Sequence, residues 1–169
     1  MTGVTMMTDE REAVVELAKG QVVLEIGCYK GHVTRAMAAV AKKVICVDWF
    51  LGNDGEGPSF FPEFEENVKG VASKIEVYTM RSDNFLETMA DIVLGQGIDL
   101  AVIDGGHDYQ TVATDALFLR YVVPGGYAAF HDSGWASIAF AINDTVGKWE
   151  DWQFVRKVRT LKIFRRLES

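Results

Sequence analysis

Five short apolar runs rich in β-branched residues, each followed by a stretch with helical spacing, constrain this chain more than any other feature. They are residues 22–26, 44–47, 75–78, 100–103 and 127–130. Between them Val33, Met37 and Val40 recur near the helical period, as do Phe64, Val68 and Val71, and Val112, Ala116 and Leu119. Residues 9–19 read as a leading helix within residues 1–21, with Thr8 or Asp9 as N-cap. Strands that alternate with helices imply right-handed crossovers and a parallel sheet covered on both faces. The pattern then changes. Residues 137–149 read as a last helix, and WQFVRKV and TLKIFRR as two adjacent strands, an antiparallel hairpin over residues 152–166. The expected fold is α/β, a doubly wound seven-stranded sheet, mostly parallel, in one domain spanning residues 1–169.

Such sheets bind ligands beyond the carboxyl ends of their strands. Polar, mostly acidic residues stand there: Glu25 to Gly27, Asp48 and Trp49, Arg81 to Asp83, Asp104 to His107, and His131 with Asp132. Any one such acid could simply cap the next helix; five together indicate a site. The net charge of −7 disfavours a nucleic-acid partner, which a basic patch would grip. The basic cluster Arg156, Lys157, Arg159, Lys162, Arg165 and Arg166 is interspersed with apolar residues and reads as the solvated face of the final hairpin. No apolar run is long enough for a membrane span, and the N-terminus lacks the pattern of a signal peptide, so a cytoplasmic protein is expected. Cys28 and Cys46 suggest no disulfide framework and read as small buried thiols.

The turn VLEIGCYKGH narrows the ligand. A dinucleotide site wants G-x-G-x-x-G, whose middle glycine lets the backbone approach a pyrophosphate. Here Tyr29 occupies that position between Gly27 and Gly31, and Glu25 adds negative charge where a phosphate would be unwelcome. A cofactor with a ribose, no phosphate, a cationic sulfur and an ammonium group fits better: S-adenosylmethionine. Asp48, twenty-one residues past Gly27, is placed to accept both ribose hydroxyls, a role that serves NAD equally. Trp49 is placed to cover an adenine or to join the core. Ser82 and Asp83 are placed either to hydrogen-bond the adenine edge or to cap a helix over residues 84–93.

EIGCYKG, then VD, then DGGHDY, PGG and HD at these spacings resembles the class I S-adenosylmethionine-dependent methyltransferases, and more narrowly their small-molecule O-methyltransferase branch. The resemblance runs from Val22 to the final hairpin. It implies a Rossmann-like sheet whose last strand is antiparallel, and a hydroxylated small-molecule acceptor. It also implies a base in the loop after the fourth strand, where His107 stands three residues past Asp104. Asp104 and Asp132 end adjacent strands and could converge on Mg²⁺, which would lower the acceptor's pKa. Many metal-dependent members carry a further acid or amide after the second aspartate; this chain has Ser133, which leaves two firm ligands. His131 is expected to point into the neighbouring layer rather than to ligate. Without a metal, Asp132 would orient His107 or bind the acceptor hydroxyl.

Residues 50–64, FLGNDGEGPSFFPEF, read as a lid over residues 49–62 or as an irregular surface loop. Phe60, Phe61, Tyr109 and Trp135 are candidate pocket walls. Relative to the catechol-type members of that branch, little chain precedes the first strand, so the resemblance implies a pocket wall that is missing or is supplied by a second copy in a homo-oligomer. Three rival readings exist. An NAD-dependent oxidoreductase needs a tighter glycine turn. A nucleic-acid methyltransferase needs a Pro-Pro-aromatic turn or a Pro-Cys nucleophile. A methyltransferase-like protein that only binds, or that supports another reaction such as hydroxylation, stays open.

Overall fold

The computed structural model describes residues 6–51 and 58–168. Seven strands form one sheet: β1 (Val22–Ile26), β2 (Lys43–Asp48), β3 (Ile75–Thr79), β4 (Ile98–Ile103), β5 (Val122–Phe130), β6 (Trp152–Val158) and β7 (Leu161–Arg166). Their order is β3-β2-β1-β4-β5-β7-β6. The first five are parallel, and β7 runs antiparallel to both β5 and β6. The chain steps outward from β1 to β3, then returns to lay β4 on the free side of β1. This reversal opens a crevice at the carboxyl ends of β1 and β4.

Because β1, β2 and β4 are buried on both faces, their residues alternate between two cores. Leu24, Ile26, Ile45, Ile103 and Phe130 pack with Phe85, Leu94, Val112 and Ile142 from α4 (Ser82–Thr88), α5 (Ala90–Leu94), α6 (Tyr109–Asp115) and α7 (Ala136–Asp144). Val23, Val44, Cys46, Val102 and Ala129 pack on the opposite face with Val14, Met37 and Phe64 from α1 (Thr8–Ala18), α2 (His32–Val40) and α3 (Phe61–Val68). The same alternation sends two polar residues to the α1–α2 side. Glu25 follows Leu24, and His131 follows Phe130; both are buried.

Several boundaries differ from the expectations. The N-cap of α1 is Met7, not Thr8 or Asp9, because the Glu10 carboxylate turns back to accept the Met7 amide. The helix expected over residues 84–93 is two, broken at Met89, and the last helix ends at Asp144 before a 3₁₀ turn. Strand β5 starts at Val122, earlier than its apolar run, with a register shift opposite Ile98 to Leu100 and Gly125 at φ +83°. The basic residues of the hairpin are largely paired at home: Arg156 with Glu16, Arg159 with Asp9, Arg165 with Glu168 and Arg166 with Asp151. Among the described residues no helix is long and apolar enough to cross a membrane.

Candidate active site

A cavity of about 730 Å³ lies over the carboxyl ends of β1, β2 and β4. Its floor is the turn after β1. Gly27 has φ +87°, and a Cβ there would stand 2.2 Å from the Asp104 carbonyl oxygen, so only glycine lets β1 and β4 end side by side. Gly31, at φ +78°, opens α2, and a Cβ there would strike Phe64 and Val68 of α3. Tyr29 adopts a left-handed conformation (φ 48°), and its ring packs edge-on against Phe60, 4.7 Å away.

Beside this turn, Asp48 and Glu25 face the cavity without a cationic partner among the described residues. Asp48 accepts the Tyr29 amide at 2.7 Å and the Phe50 amide at 2.7 Å, which fixes its carboxylate at the end of β2. Glu25 accepts the Thr34 hydroxyl at 2.6 Å and is buried beside the Cys46 thiol. Burial raises its pKa to about 8, with repulsion from Asp104 and Asp48 adding to the effect against the Thr34 hydrogen bond. Both cysteines are free and buried, as expected. Beyond Asp48 the wall is Trp49, Met80, Arg81 and Ser82, with the Arg81 guanidinium 5.2 Å from the Trp49 ring.

The sequence expectations meet this geometry unevenly. Glu25, Gly27, Asp48, Trp49, Ser82, Asp104, His107 and Asp132 all line the cavity. Asp83 does not: its carboxylate holds Arg81 and the Asn84 amide at the surface, and the N-cap of α4 is Arg81. Phe60 is a cavity wall, whereas Phe61 packs with Phe50 and Phe64. Trp135 is 54% exposed, with its ring 5.3 Å from that of His107. The central part of the expected lid, residues 52–57, lies outside the described residues.

The β4–β5 side of the crevice has a different chemistry. His107 Nε2 lies 3.0 Å from an Asp132 carboxylate oxygen, and that hydrogen bond raises the His107 pKa above its ordinary value. Asp132 sits at φ +53°, a left-handed conformation that non-glycine residues rarely hold without a reason. His131 lies behind this pair. Its Nδ1 is 3.0 Å from Asp104 and 3.4 Å from Asp132, and its Nε2 is 3.2 Å from Glu10 on α1. Burial opposes charge on this ring, but the hydrogen bonds to Asp104 and Asp132 outweigh it and push the pKa up to about 11. For Asp132, burial is outweighed by the hydrogen bonds of both histidines, which hold its carboxyl well below the usual range.

Sequence reasoning did not find Glu10. An acid in the first turn of a helix reads as a partner for the helix dipole. Here it is buried, and its other oxygen accepts the Thr160 amide at 2.8 Å and hydroxyl at 2.7 Å from the β6–β7 turn.

Asp104, His131 and Asp132 bring potential ligand atoms within 4.8 Å of one another, so they are the place to test for Mg²⁺. The donor set does not fit. Both nitrogens of His131 lie within hydrogen-bond distance of carboxylates, so neither is free to ligate in this arrangement. Asp132 is shared between two histidines, and Ser133 donates to the Thr160 carbonyl rather than facing the acids. In this arrangement the carboxylates of Asp104 and Asp132 are met by histidine nitrogens.

Comparison with known proteins agrees with this fold. A family model described as a methyltransferase domain matches residues 24–133. The chain belongs to that methyltransferase family, and its architecture is that of the class I S-adenosylmethionine-dependent enzymes. No curated protein matches the chain. Among solved structures, it is similar to the O-methyltransferase TomG of Streptomyces achromogenes, involved in tomaymycin synthesis and solved with S-adenosylmethionine. The two share 15% identity at a TM-score of 0.78, over 99% of this chain and 84% of that one. An O-methyltransferase of Bacillus cereus, solved with S-adenosylhomocysteine, shows 14% identity and a TM-score of 0.76 over 98% and 84%. The N-methyltransferase NodS of Bradyrhizobium japonicum, solved with the same product, shows 18% and 0.70 over 99% and 90%.

Proposed function

We propose that this chain transfers the methyl group of S-adenosylmethionine to a hydroxyl of a small molecule, with His107 as general base. The observation that carries the reading is the His107–Asp132 pair at the rim of the cavity whose floor holds Glu25 and Asp48. In this reading Asp48 takes the ribose hydroxyls. Trp49, Met80, Arg81 and Ser82 border the adenine, and Gly27 and Gly31 shape the turn beneath the methionyl part. Glu25 supplies the negative charge that a sulfonium and an ammonium group seek in a water-poor site.

Transfer needs the acceptor oxygen, the methyl carbon and the sulfur in line, and it needs the hydroxyl proton removed as attack begins. Asp132 holds the Nε2–H of His107, which leaves Nδ1 as the basic nitrogen. The proton passes to that nitrogen, the O–C bond forms, and the C–S bond breaks with its electron pair left on sulfur. The products are the methyl ether and neutral S-adenosylhomocysteine. Asp104 and Asp132 keep the rim anionic, so a protonated His107 is stabilised as it forms. Free buried thiols suit a reducing compartment, and we place the reaction in the cytoplasm.

The test is formation of S-adenosylhomocysteine when the protein is incubated with S-adenosylmethionine and a panel of hydroxylated small molecules, phenols and sugars included. The expected result is an acceptor-dependent signal that His107→Ala abolishes while cofactor affinity is retained. Wild-type turnover in His107→Ala would remove the base; transfer only to amines would move the chain to N-methylation.

A further inference from the structure

We propose that Glu25, Cys28 and Cys46 form a site for a thiophilic divalent cation of the Zn²⁺ type at the floor of the cavity, and that its occupation excludes the cofactor. The site stands on geometry alone; the exclusion rests on the methyltransferase reading above. Parallel pairing of β1 with β2 sets Glu25 opposite Cys46, on the α1–α2 side of the sheet. Past Ile26 the left-handed Gly27 folds the chain back, so that the Cys28 thiol lies 3.6 Å from the Glu25 carbonyl oxygen. The Cys46 thiol stands 3.9 Å from Glu25 Oε2, and one donor atom from each of the three side chains lies within 4.8 Å of the others. The fold thus brings both thiols of the chain to the same carboxylate.

The donor set selects the ion. Two thiols and one carboxylate suit a soft or borderline cation, whereas Mg²⁺ and Ca²⁺ take oxygen ligands. With bonds of about 2.3 Å to sulfur and about 2.1 Å to oxygen, donors that share a tetrahedral Zn²⁺ stand about 3.6–3.8 Å apart. The three atoms reach that spacing by closing about 1 Å. A second observation points to a cation. Glu25 is 2% exposed, has no cationic partner among the described residues, and lines the cavity beside Cys28, Asp48 and Asp104. Cys46 is fully buried behind them, so entry and the fourth coordination position both lie on the cavity side. The thiols give up their protons on binding, as coordinated thiols do. A cation held here takes the carboxylate that the sulfonium and ammonium groups would otherwise use, so cation and cofactor compete for one acid.

The experiment uses the untagged full chain, reduced and metal-free, with Cd²⁺ alone as the spectroscopic probe. Ultraviolet charge transfer from thiolate to Cd²⁺ can come only from Cys28 and Cys46, the two cysteines of the chain. Wild type is expected to show a one-to-one band that saturates at micromolar Cd²⁺ and is displaced by Zn²⁺. Absence of the band would overturn the proposal, and that arm needs no variant. Cys28→Ser and Cys46→Ala are each expected to lose roughly half of its intensity and to weaken binding by at least the about 10- to 100-fold that loss of a group behind a ligand costs. Full intensity in either variant would show one thiol binding alone and would overturn the pair. Glu25→Gln is expected to weaken Cd²⁺ binding by a similar factor; unchanged affinity would remove the carboxylate from the site. A cooperative thermal melt shows that each variant is folded. Calorimetry with S-adenosylmethionine, with and without saturating Cd²⁺, reads the competition. The loaded protein is expected to lose cofactor binding, and an unchanged affinity would overturn the exclusion. Failure of the metal-free protein to bind S-adenosylmethionine would count against the methyltransferase reading alone, with the thiolate band still deciding the cation site.

Discussion

The two halves of the crevice handle buried acid in opposite ways. On the β1–β2 side, Glu25 and Asp48 are satisfied by a hydroxyl and by backbone amides, and no lysine, arginine or histidine pairs with either among the described residues. On the β4–β5 side, Asp104 and Asp132 are answered by His107 and His131, with Glu10 behind. Acids without a cationic partner are suited to receive one from a ligand. A half that has its cations already is built to hold a proton and pass it. In the proposed function, the cofactor and the acceptor of the methyl transfer divide along this line.

The largest effect falls on the paired half. His107→Ala is expected to lower the transfer rate about 10²- to 10⁴-fold, the usual range for a general base, with cofactor affinity within about twofold of wild type. Steady-state kinetics and calorimetry together check this; loss of cofactor binding would assign His107 to the wrong half. Next is Asp48→Ala. It removes an acceptor from the ribose and releases two backbone amides, and the affinity for S-adenosylmethionine is expected to weaken about 10- to 100-fold, as for the loss of hydrogen bonds to a charged group. Unchanged affinity would remove Asp48 from the cofactor.

A subtler effect separates the halves by pH. With its pKa near 8, Glu25 is largely protonated in the free protein at neutral pH. A cationic ligand favours its ionised form, so binding is expected to release a proton, and affinity is expected to rise as pH approaches 8. Calorimetry in buffers of different ionisation enthalpy reads this release directly, and Glu25→Gln should abolish it. His107 gives a profile of the same sense, read in rate rather than affinity. Its raised pKa means that the rate climbs with pH until the imidazolium deprotonates, above the ordinary histidine value.

The smallest expected effect concerns stability. Asp115 on α6 is fully buried, and among the described residues neither carboxyl oxygen has a partner at hydrogen-bonding geometry; burial raises its pKa to about 7, against the influence of the nearby Ser82 hydroxyl. The folded protein therefore keeps this proton while the unfolded chain loses it above about pH 4. Stability from this group is complete below that point and is lost as pH rises through about 7. Asp115→Asn cannot ionise, so its melting temperature relative to wild type should improve from about pH 4 to about pH 8. A pH-independent difference would show that the carboxyl is not the strained group.

Much of this was legible in the chain. β1 and β6 stand where the sequence places them, and the acids at the strand ends reach the cavity because strand ends in a doubly wound sheet converge by topology. Short-range signals failed where a side chain had two uses. Asp83 reads as an adenine partner, yet Arg81 two residues away claims it. The setting of Asp104 and Asp132 has a longer-range cause. Their counter-charge depends on His131, whose direction follows from strand alternation, and on Glu10, which only the packing of α1 brings to it. Alternation is visible in sequence; the contact between α1 and the end of β5 is not.

The first measurement to make is calorimetric titration of the purified protein with S-adenosylmethionine in metal-free buffer, with NAD as the control. The expected result is saturable one-to-one binding of S-adenosylmethionine with proton release near neutral pH, and no heat from NAD. Binding of NAD, or of neither ligand, would mean that the uncompensated acids at the end of β1 and β2 are not a cofactor site for a sulfonium.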